Sequence, residues 1–176
     1  MRSYFHLKGM ISLTKARYEK IRLWFLARPT ALKGLMLLNL WLPRLVYCTY
    51  PVLLAVLIFR GDTKFFKVLL VPALTFAMVT VLRLIWNLPR PYEKLGIEPL
   101  IPREKSGKSF PSRHAASAAI IAAACWYVWP PLGIAMSFIA LLIAVVRPLA
   151  GIHFPLDTLV GVLIGLFFGL VGLWIM

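Results

Sequence analysis

Residues 68–88, VLLVPALTFAMVTVLRLIWNL, decide the fold, because Arg83 is the only charged side chain in this run. A helix needs about 20 mostly apolar residues to cross the hydrocarbon core of a bilayer. The run has that length, and it is followed by Pro89, which favours the end of a helix. We therefore predict that residues 68–88 form a transmembrane helix.

Further apolar runs lie on both sides of this segment. The chain is 61% hydrophobic and 15% charged over 176 residues, whereas soluble domains average roughly 45–50% apolar and about 25% charged residues. We predict an all-α, polytopic transmembrane bundle of five to six spans, with no room for a separate soluble domain. The other predicted spans are 45–59, 112–129, 132–146 and 155–175.

Glycines recur every four residues in the last predicted span, at Gly161, Gly165 and Gly169. Small residues at this spacing let membrane helices approach each other closely. We interpret the three glycines as a helix-packing surface.

The N-terminal part of the chain allows two interpretations. We divide the sequence into a basic N-terminal segment, 1–43, and a transmembrane core, 44–176. Residues 12–27 place charged and apolar side chains at helical spacing, which favours an amphipathic helix in the headgroup region. Residues 23–42 could instead form a sixth span, although Arg28, Pro29 and Lys33 would disfavour it. The sequence leaves both possibilities open.

The chain carries a formal net charge of +14, from 20 Lys and Arg against 6 Asp and Glu. Such a balance is often a sign of nucleic-acid binding. Here, however, the basic residues lie at the edges of the apolar runs or between them. Anionic lipid headgroups or an anionic substrate at the membrane surface are therefore the expected partners, and nucleic acid is not.

Two polar segments are predicted to lie on the same side of the membrane. If the spans 112–129 and 132–146 form a hairpin, the loop 89–111 and the turn 147–154 must be at the same end of the bundle. These two segments can then build one site.

The turn and the last span contain Arg147, His153 and Asp157. Charged groups at membrane depth are costly and usually have a function. Asp157 follows His153 by four residues, so the carboxylate can hold one nitrogen of the imidazole while the other acts as a nucleophile. The alternative is a His–Asp pair that only caps the start of a helix, with Pro155 in its first turn.

A second set of polar residues, Ser109-Phe110-Pro111-Ser112-Arg113-His114, precedes the alanine-rich span. The exposed N–H groups at a helix start bind anions. Arg113 adds a guanidinium suited to phosphate oxygens, and His114 adds a proton donor. Taken alone, the hexapeptide could equally be a helix cap with a solvated Arg–His pair.

Arg83 and Arg90 form a third set of polar residues. They are seven residues apart, or about two helical turns, so both side chains can point the same way. Arg90 could instead extend to the headgroups. Arg83 lies deeper and is more in need of a partner or a polar cavity.

These three sets resemble the signature motifs of the type 2 phosphatidic acid phosphatase superfamily, the lipid phosphate phosphatases related to vanadium haloperoxidases. The matching patterns are R-x6-R-P at 83–91, P-S-R-H at 111–114 and R-x5-H-x3-D at 147–157. Their order and spacing fit the family over about residues 44–176.

The resemblance implies a role for each matching residue. His153 would be the nucleophile that forms a phosphohistidine, Asp157 would orient it, and His114 would protonate the leaving oxygen. The residues implied to bind the phosphate oxygens are Arg83, Arg90, Ser112, Arg113 with its surrounding backbone, and Arg147. The family needs no metal or other cofactor for this hydrolysis, and the sequence shows no plausible carboxylate cluster for one.

Three positions depart from the family pattern. Arg83 stands where the first motif usually has Lys, which keeps the charge but changes a point donor into a planar fork. Arg113 replaces the usual Gly of the second motif and adds a cation. Val146 replaces the usual Ser before Arg147, which removes a supporting hydrogen bond.

The resemblance implies a membrane enzyme that removes the terminal phosphate of a lipid mono- or diphosphate. The substrates considered are undecaprenyl diphosphate, phosphatidylglycerophosphate and phosphatidic acid. It also implies a cell-membrane location with the site on the extracytoplasmic side, although the basic site loop conflicts with the positive-inside rule. The alternative is a non-catalytic protein that binds or transports lipid phosphates, and the retained histidines and Asp157 count against it. The sequence does not specify the oligomeric state.

Overall fold

The computed structural model describes residues 14–102 and 106–176, and these residues form a bundle of helices. The helices are α1 (Lys15–Leu26), α2 (Pro29–Phe59), α3 (Phe65–Trp86), α4 (Pro91–Leu95), α5 (Arg113–Val128), α6 (Pro130–Leu149) and α7 (Pro155–Leu170), followed by a π-helical turn, Val171–Ile175.

The prediction of an all-α polytopic bundle is confirmed. Within the described ranges, four helical segments are long and apolar enough to cross a membrane: Pro29–Phe59, Phe65–Leu95, Pro130–Leu149 and Pro155–Ile175. The remaining predicted span corresponds to α5, which has 16 residues and is therefore about 24 Å long. Every residue from 115 to 125 of α5 is buried, so this alanine-rich helix is the centre of the bundle.

Small residues allow α5 and α7 to pack closely, as the glycine spacing predicts. A Cβ atom added to Gly165 would lie 2.6 Å from the Ala116 carbonyl oxygen, and one added to Gly169 would lie 2.6 Å from the Ala123 Cβ. A Cβ on Gly161 would lie 2.6 Å from the Ser112 carbonyl oxygen. The glycine stripe of α7 therefore holds the starts of both helices in register.

Helix α2 extends further toward the N-terminus than the predicted span 45–59. It is one continuous helix of 31 residues that begins with Pro29, a residue well suited to the first helical turn. It passes through the boundary placed between residues 43 and 44, and it contains most of the segment 23–42. Residues 23–42 therefore do not form a separate crossing.

Helix α1 corresponds to the predicted amphipathic segment 12–27, of which residues 12 and 13 lie outside the described residues. Its N-terminus is capped by Thr14, whose hydroxyl oxygen accepts a hydrogen bond from the Arg17 N–H at 3.3 Å. Tyr18 is fully buried, whereas Leu23 and Trp24 are 60% and 48% exposed. One face of the helix, with Tyr18, therefore packs against the rest of the protein, and the face with Leu23 and Trp24 is exposed.

The loop 89–111 and the turn 147–154 lie at the same end of the bundle, as the hairpin argument predicts. An Arg90 guanidinium nitrogen donates to the Ile152 carbonyl oxygen at 3.4 Å. The opposite end is marked by Lys64, whose ammonium group donates to the Tyr127 carbonyl oxygen at 3.2 Å. The predicted site residues are therefore gathered at one end.

Candidate active site

The turn before α7 places a histidine beside a carboxylate. His153 Nδ1 lies 3.6 Å from Asp157 Oδ2, and the two residues are 2% and 0% exposed. This distance is longer than a normal hydrogen bond, but catalytic contacts in ligand-free sites often shorten when the substrate binds. Since Nδ1 faces the carboxylate, Nε2 is the nitrogen available for attack.

Asp157 is held in place from two other directions. Its Oδ2 accepts a hydrogen bond from the Phe154 N–H at 3.0 Å and another from the Ser109 hydroxyl. The first contact caps α7, as the capping alternative proposes, and the second links α7 to the loop before α5. Asp157 therefore caps a helix and faces His153 at the same time.

The protonation state of His153 suits a nucleophile. Burial, only partly offset by Asp157, lowers the pKa of His153 to about 4. The nearby guanidinium groups of Arg90 and Arg147 act in the same direction as burial. The imidazole is therefore neutral at pH 7 and keeps a lone pair on one nitrogen.

Arg83 fixes the segment that carries the second motif. One of its terminal nitrogens donates to the Pro111 carbonyl oxygen at 2.6 Å and to the Ser109 carbonyl oxygen at 3.3 Å. The side chain is buried, and the sequence predicts that a buried arginine needs either a partner or a polar cavity. Arg83 has both, because it donates to two backbone carbonyls and lines the polar cavity described below.

Arg90 joins the two loops of the site. Its Nε donates to the Gly107 carbonyl oxygen at 3.0 Å, in addition to the contact with Ile152 described above. Glu93 supports the same region, because its carboxylate accepts hydrogen bonds from the backbone N–H groups of Arg90 at 2.7 Å and Gly107 at 3.0 Å. The loop is thus closed over the end of α3.

A cavity of about 440 Å³ opens among these residues. Five cationic side chains line it together with both predicted catalytic histidines: Arg83, Arg90, Lys108, Arg113, Arg147, His114 and His153. The carboxylate of Asp157 lies behind His153 and not in the lining. The cavity is therefore suited to an anion carrying more than one negative charge.

The predicted site residues of the second motif differ in whether they line the cavity. The Arg113 guanidinium lines it and also lies 5.2 Å above the Phe76 ring, a cation–π arrangement. The His114 ring lies 6.2 Å from the Tyr47 ring of α2. Ser112 does not line the cavity: it is fully buried, and its N–H donates to the Asp157 carbonyl oxygen at 2.8 Å.

Sequence reasoning assigned no role to two residues that the structure places at the site. Ser109 donates to the carboxylate of Asp157, and Lys108 lines the cavity. Both lie in or next to the quoted hexapeptide, so proximity to P-S-R-H was the available signal. Their partners, however, are distant in sequence, and spacing alone did not predict them.

Fold and site together define a helical membrane protein with a buried histidine at the edge of a cationic cavity. The chain belongs to the PAP2 superfamily, which it matches over residues 64–176. The family resemblance predicted from the three motifs is thereby confirmed. The protein is a membrane phosphatase.

Two solved structures are similar to this chain. LpxE from Aquifex aeolicus shares 32% sequence identity, with a TM-score of 0.68 over 88% of this chain and 93% of that one. A transmembrane PAP2-type phosphatidylglycerolphosphate phosphatase from Bacillus subtilis shares 23% identity, with a TM-score of 0.66 over 96% of this chain and 89% of that one. The second likeness concerns the fold alone. No match was found among curated protein sequences.

Proposed function

We propose that this protein hydrolyses the terminal phosphate of a lipid mono- or diphosphate through a phosphohistidine intermediate. The observation that carries the proposal is the buried pair His153–Asp157 beside a cavity lined by four arginines. Binding alone would require the cations but not a neutral histidine held by a carboxylate. The pair therefore favours a phosphatase over a protein that only binds lipid phosphates.

Phosphate binding is assigned to the cations of the cavity. Arg90, Arg113 and Arg147 line the same cavity as His153, and the buried Arg83 adds a fourth guanidinium to its wall. In a site with little water, such fixed charges stabilise the extra negative charge of a phosphoryl-transfer transition state. Ser112 contributes through the backbone that it anchors to α7.

The proposed reaction has two steps. His153 Nε2 attacks the phosphorus, the bond from phosphorus to the leaving oxygen breaks, and His114 gives its proton to that oxygen. Water then attacks the phosphohistidine, its proton passes to His114, and the phosphorus–nitrogen bond breaks to release inorganic phosphate. Asp157 stabilises the positive imidazole in both steps.

The lipid nature of the substrate is supported by the position of the cavity. It lies at one end of the bundle, and Thr80 and Leu84 of α3 form part of its wall. The neighbouring Ile85 is 70% exposed on the outer face of the same helix, where acyl or prenyl chains are the natural solvent. A substrate can thus place its phosphate in the cavity while its tail stays in the bilayer. The substrates to be compared are undecaprenyl diphosphate, phosphatidylglycerophosphate and phosphatidic acid.

We also propose a cell-membrane location with the site on the extracytoplasmic side, which rests on the family resemblance. The basic residues of α1 lie at the same end as the site, and by the positive-inside rule they favour the opposite orientation. A cysteine introduced at Ser106, an exposed residue on the cavity rim, separates the two. A membrane-impermeant maleimide should label this cysteine in intact cells. Labelling only after cell lysis would indicate that the site faces the cytoplasm.

The test of the function is phosphate release by the purified protein from each of the three lipids in detergent. His153→Ala should reduce turnover by many powers of ten, because a covalent step is lost. A substrate labelled with ³²P in its terminal phosphate should label the parent protein but not this variant. Absence of turnover by the parent on all three lipids would contradict the proposal.

A further inference from the structure

Helix α1 precedes the part of the chain that matches the PAP2 superfamily, yet one of its residues reaches the site loops. The Tyr18 side chain is fully buried, and its hydroxyl oxygen accepts a hydrogen bond from the Leu100 N–H at 3.0 Å. Leu100 belongs to the loop 89–111, which also carries Arg90 and Lys108. Tyr18 is therefore bound directly to the backbone of the site loop.

The same side chain also packs against the turn that carries the nucleophile. Gly151 has a φ of +76°, and a Cβ atom added to it would overlap the Tyr18 hydroxyl oxygen and the ring, with Cζ at 2.7 Å and Cε2 at 3.0 Å. Gly151 lies two residues before His153, and the intervening Ile152 carbonyl accepts the hydrogen bond from Arg90. Tyr18 thus lies between the two segments whose relative position defines the cavity.

A second polar contact of α1 with the site loop is of a different kind. Arg22 forms an ion pair with Glu98. The Glu98 side chain is 77% exposed, and exposed ion pairs contribute little to stability. The buried tyrosine, and not the ion pair, is the contact that constrains the loop.

We propose that Tyr18 is a positioning residue for hydrolysis: it holds the loop 89–111 against the turn 150–153 and so sets the direction of His153. This proposal rests on the proposed function, because it assigns the nucleophile to His153. It extends the functional part of the chain to α1. It also explains why residue 151 is a glycine, since any side chain there would displace the Tyr18 ring.

The experiment compares the parent protein with Tyr18→Phe and Tyr18→Ala, using dioctanoyl phosphatidic acid in detergent as substrate. Tyr18→Phe keeps the ring beside Gly151 but removes the hydroxyl, which accepts the hydrogen bond from Leu100 and is the Tyr18 atom nearest to the Cβ position of Gly151. We expect kcat to fall about threefold to tenfold. Tyr18→Ala removes both contacts, and kcat should fall on the order of a hundredfold, the effect expected of a misplaced reacting group. KM should stay within about twofold in Tyr18→Phe, because no cation of the cavity is removed.

Lys20→Ala is the matched control, because Lys20 is an exposed residue on the same helix. It should leave kcat and KM at the parent values. Glu98→Gln, which removes the exposed ion pair, should change kcat by less than about twofold. Gel filtration in detergent establishes that each variant is folded before its kinetics are measured.

Hydrogen–deuterium exchange separates this proposal from the proposed function. In Tyr18→Phe, exchange should accelerate in the peptides that contain Leu100 and residues 150–154, whether or not the lipid is a substrate. A parent without activity would refute the function and leave the positioning role to be decided by exchange. Unchanged exchange in these peptides, or a kcat of Tyr18→Phe equal to that of Lys20→Ala, would overturn the proposal.

Discussion

Asp157 shows how one buried side chain serves structure and chemistry together. Its Oδ2 accepts from the Phe154 N–H and the Ser109 hydroxyl and faces His153. Because the carboxylate is fixed by these donors, it stays beside the imidazole. We expect the two groups to form a hydrogen bond when a substrate occupies the cavity, since His153 Nδ1 and Asp157 Oδ2 are 3.6 Å apart.

The pH dependence of activity should reflect the buried state of His153. Burial lowers its pKa to about 4, so the nucleophile is protonated and inactive only in strong acid. The acid limb of kcat/KM, which reports groups of the free enzyme, should therefore lie closer to pH 4 than to 6.5. A pH–rate profile on one lipid phosphate measures it, and a half-maximal value at 6.5 would contradict this expectation.

Arg83 should tolerate replacement by lysine better than by alanine. Arg83→Ala leaves the carbonyl oxygens of Ser109 and Pro111 without their buried donor and removes a charge from the cavity. A charge-assisted hydrogen bond is worth about 1.5–3 kcal/mol, which corresponds to roughly a tenfold to hundredfold loss in kcat/KM. Arg83→Lys keeps the charge and should lose clearly less.

Steady-state kinetics of both Arg83 variants on the same diphosphate lipid provide the comparison. Equal and near-parental values for the two would show that the contacts of Arg83 with the backbone carbonyls do not matter for catalysis.

At the scale of elements, the α5–α7 contact connects packing with chemistry, because α7 begins next to His153 and α5 begins at Arg113. Gly165→Ala would force a Cβ atom to within 2.6 Å of the Ala116 carbonyl oxygen. Overpacking of this kind costs about 1–3 kcal/mol. We expect a lower melting temperature in detergent and a lower kcat, since the two halves of the site move apart.

Gly34→Ala is the control for this prediction. Gly34 lies within α2, and an added Cβ atom would meet nothing within 4 Å. Alanine is the better helix former by roughly 1 kcal/mol, so this variant should melt at or above the parent temperature. If Gly165→Ala melts no lower than Gly34→Ala, the close approach of α5 and α7 is not required.

The helices could be predicted from the sequence because hydropathy depends on composition alone. The run 68–88 corresponds to α3 at Phe65–Trp86, with ends displaced by two or three residues. Helix α2 was not predicted at its full length, because Arg28, Pro29 and Lys33 were counted against a span. A helix of 31 residues is about 46 Å long, so its first turns extend beyond a hydrocarbon core of about 30 Å. Lys33 is in those first turns, so we expect it to lie at the membrane surface and not in the core.

The site could be predicted only where its residues are close in sequence. The i, i+4 relation of His153 and Asp157 is a property of one helix start, and it was visible as spacing. The contact between Tyr18 and Leu100 joins residues 82 positions apart. No local pattern indicates such a pair, because it depends on the tertiary packing of α1.

At the scale of the whole molecule, we propose that the positive charge of the cavity takes the place of the metal cation that many phosphatases use. We expect hydrolysis to persist in excess EDTA, because Arg83, Arg90, Arg113 and Arg147 supply the charge that stabilises the transition state. Phosphate release with and without EDTA measures this, and a Mg²⁺-dependent phosphatase in the same detergent controls for effective chelation. Complete loss of activity that Mg²⁺ restores would contradict the expectation.

The number of passes through the bundle makes the orientation of the site accessible to simple reporters. Helices α2, α3, α5, α6 and α7 each run from one end to the other, which is an odd number, so α1 and Ile175 emerge at opposite ends. A protease-cleavable epitope placed before Lys15 should therefore share the compartment of His153, whereas a fluorescent protein fused after Met176 should lie across the membrane from it. The two fusions should therefore report opposite sides of the membrane. Agreement between them would establish the orientation without a change to any site residue.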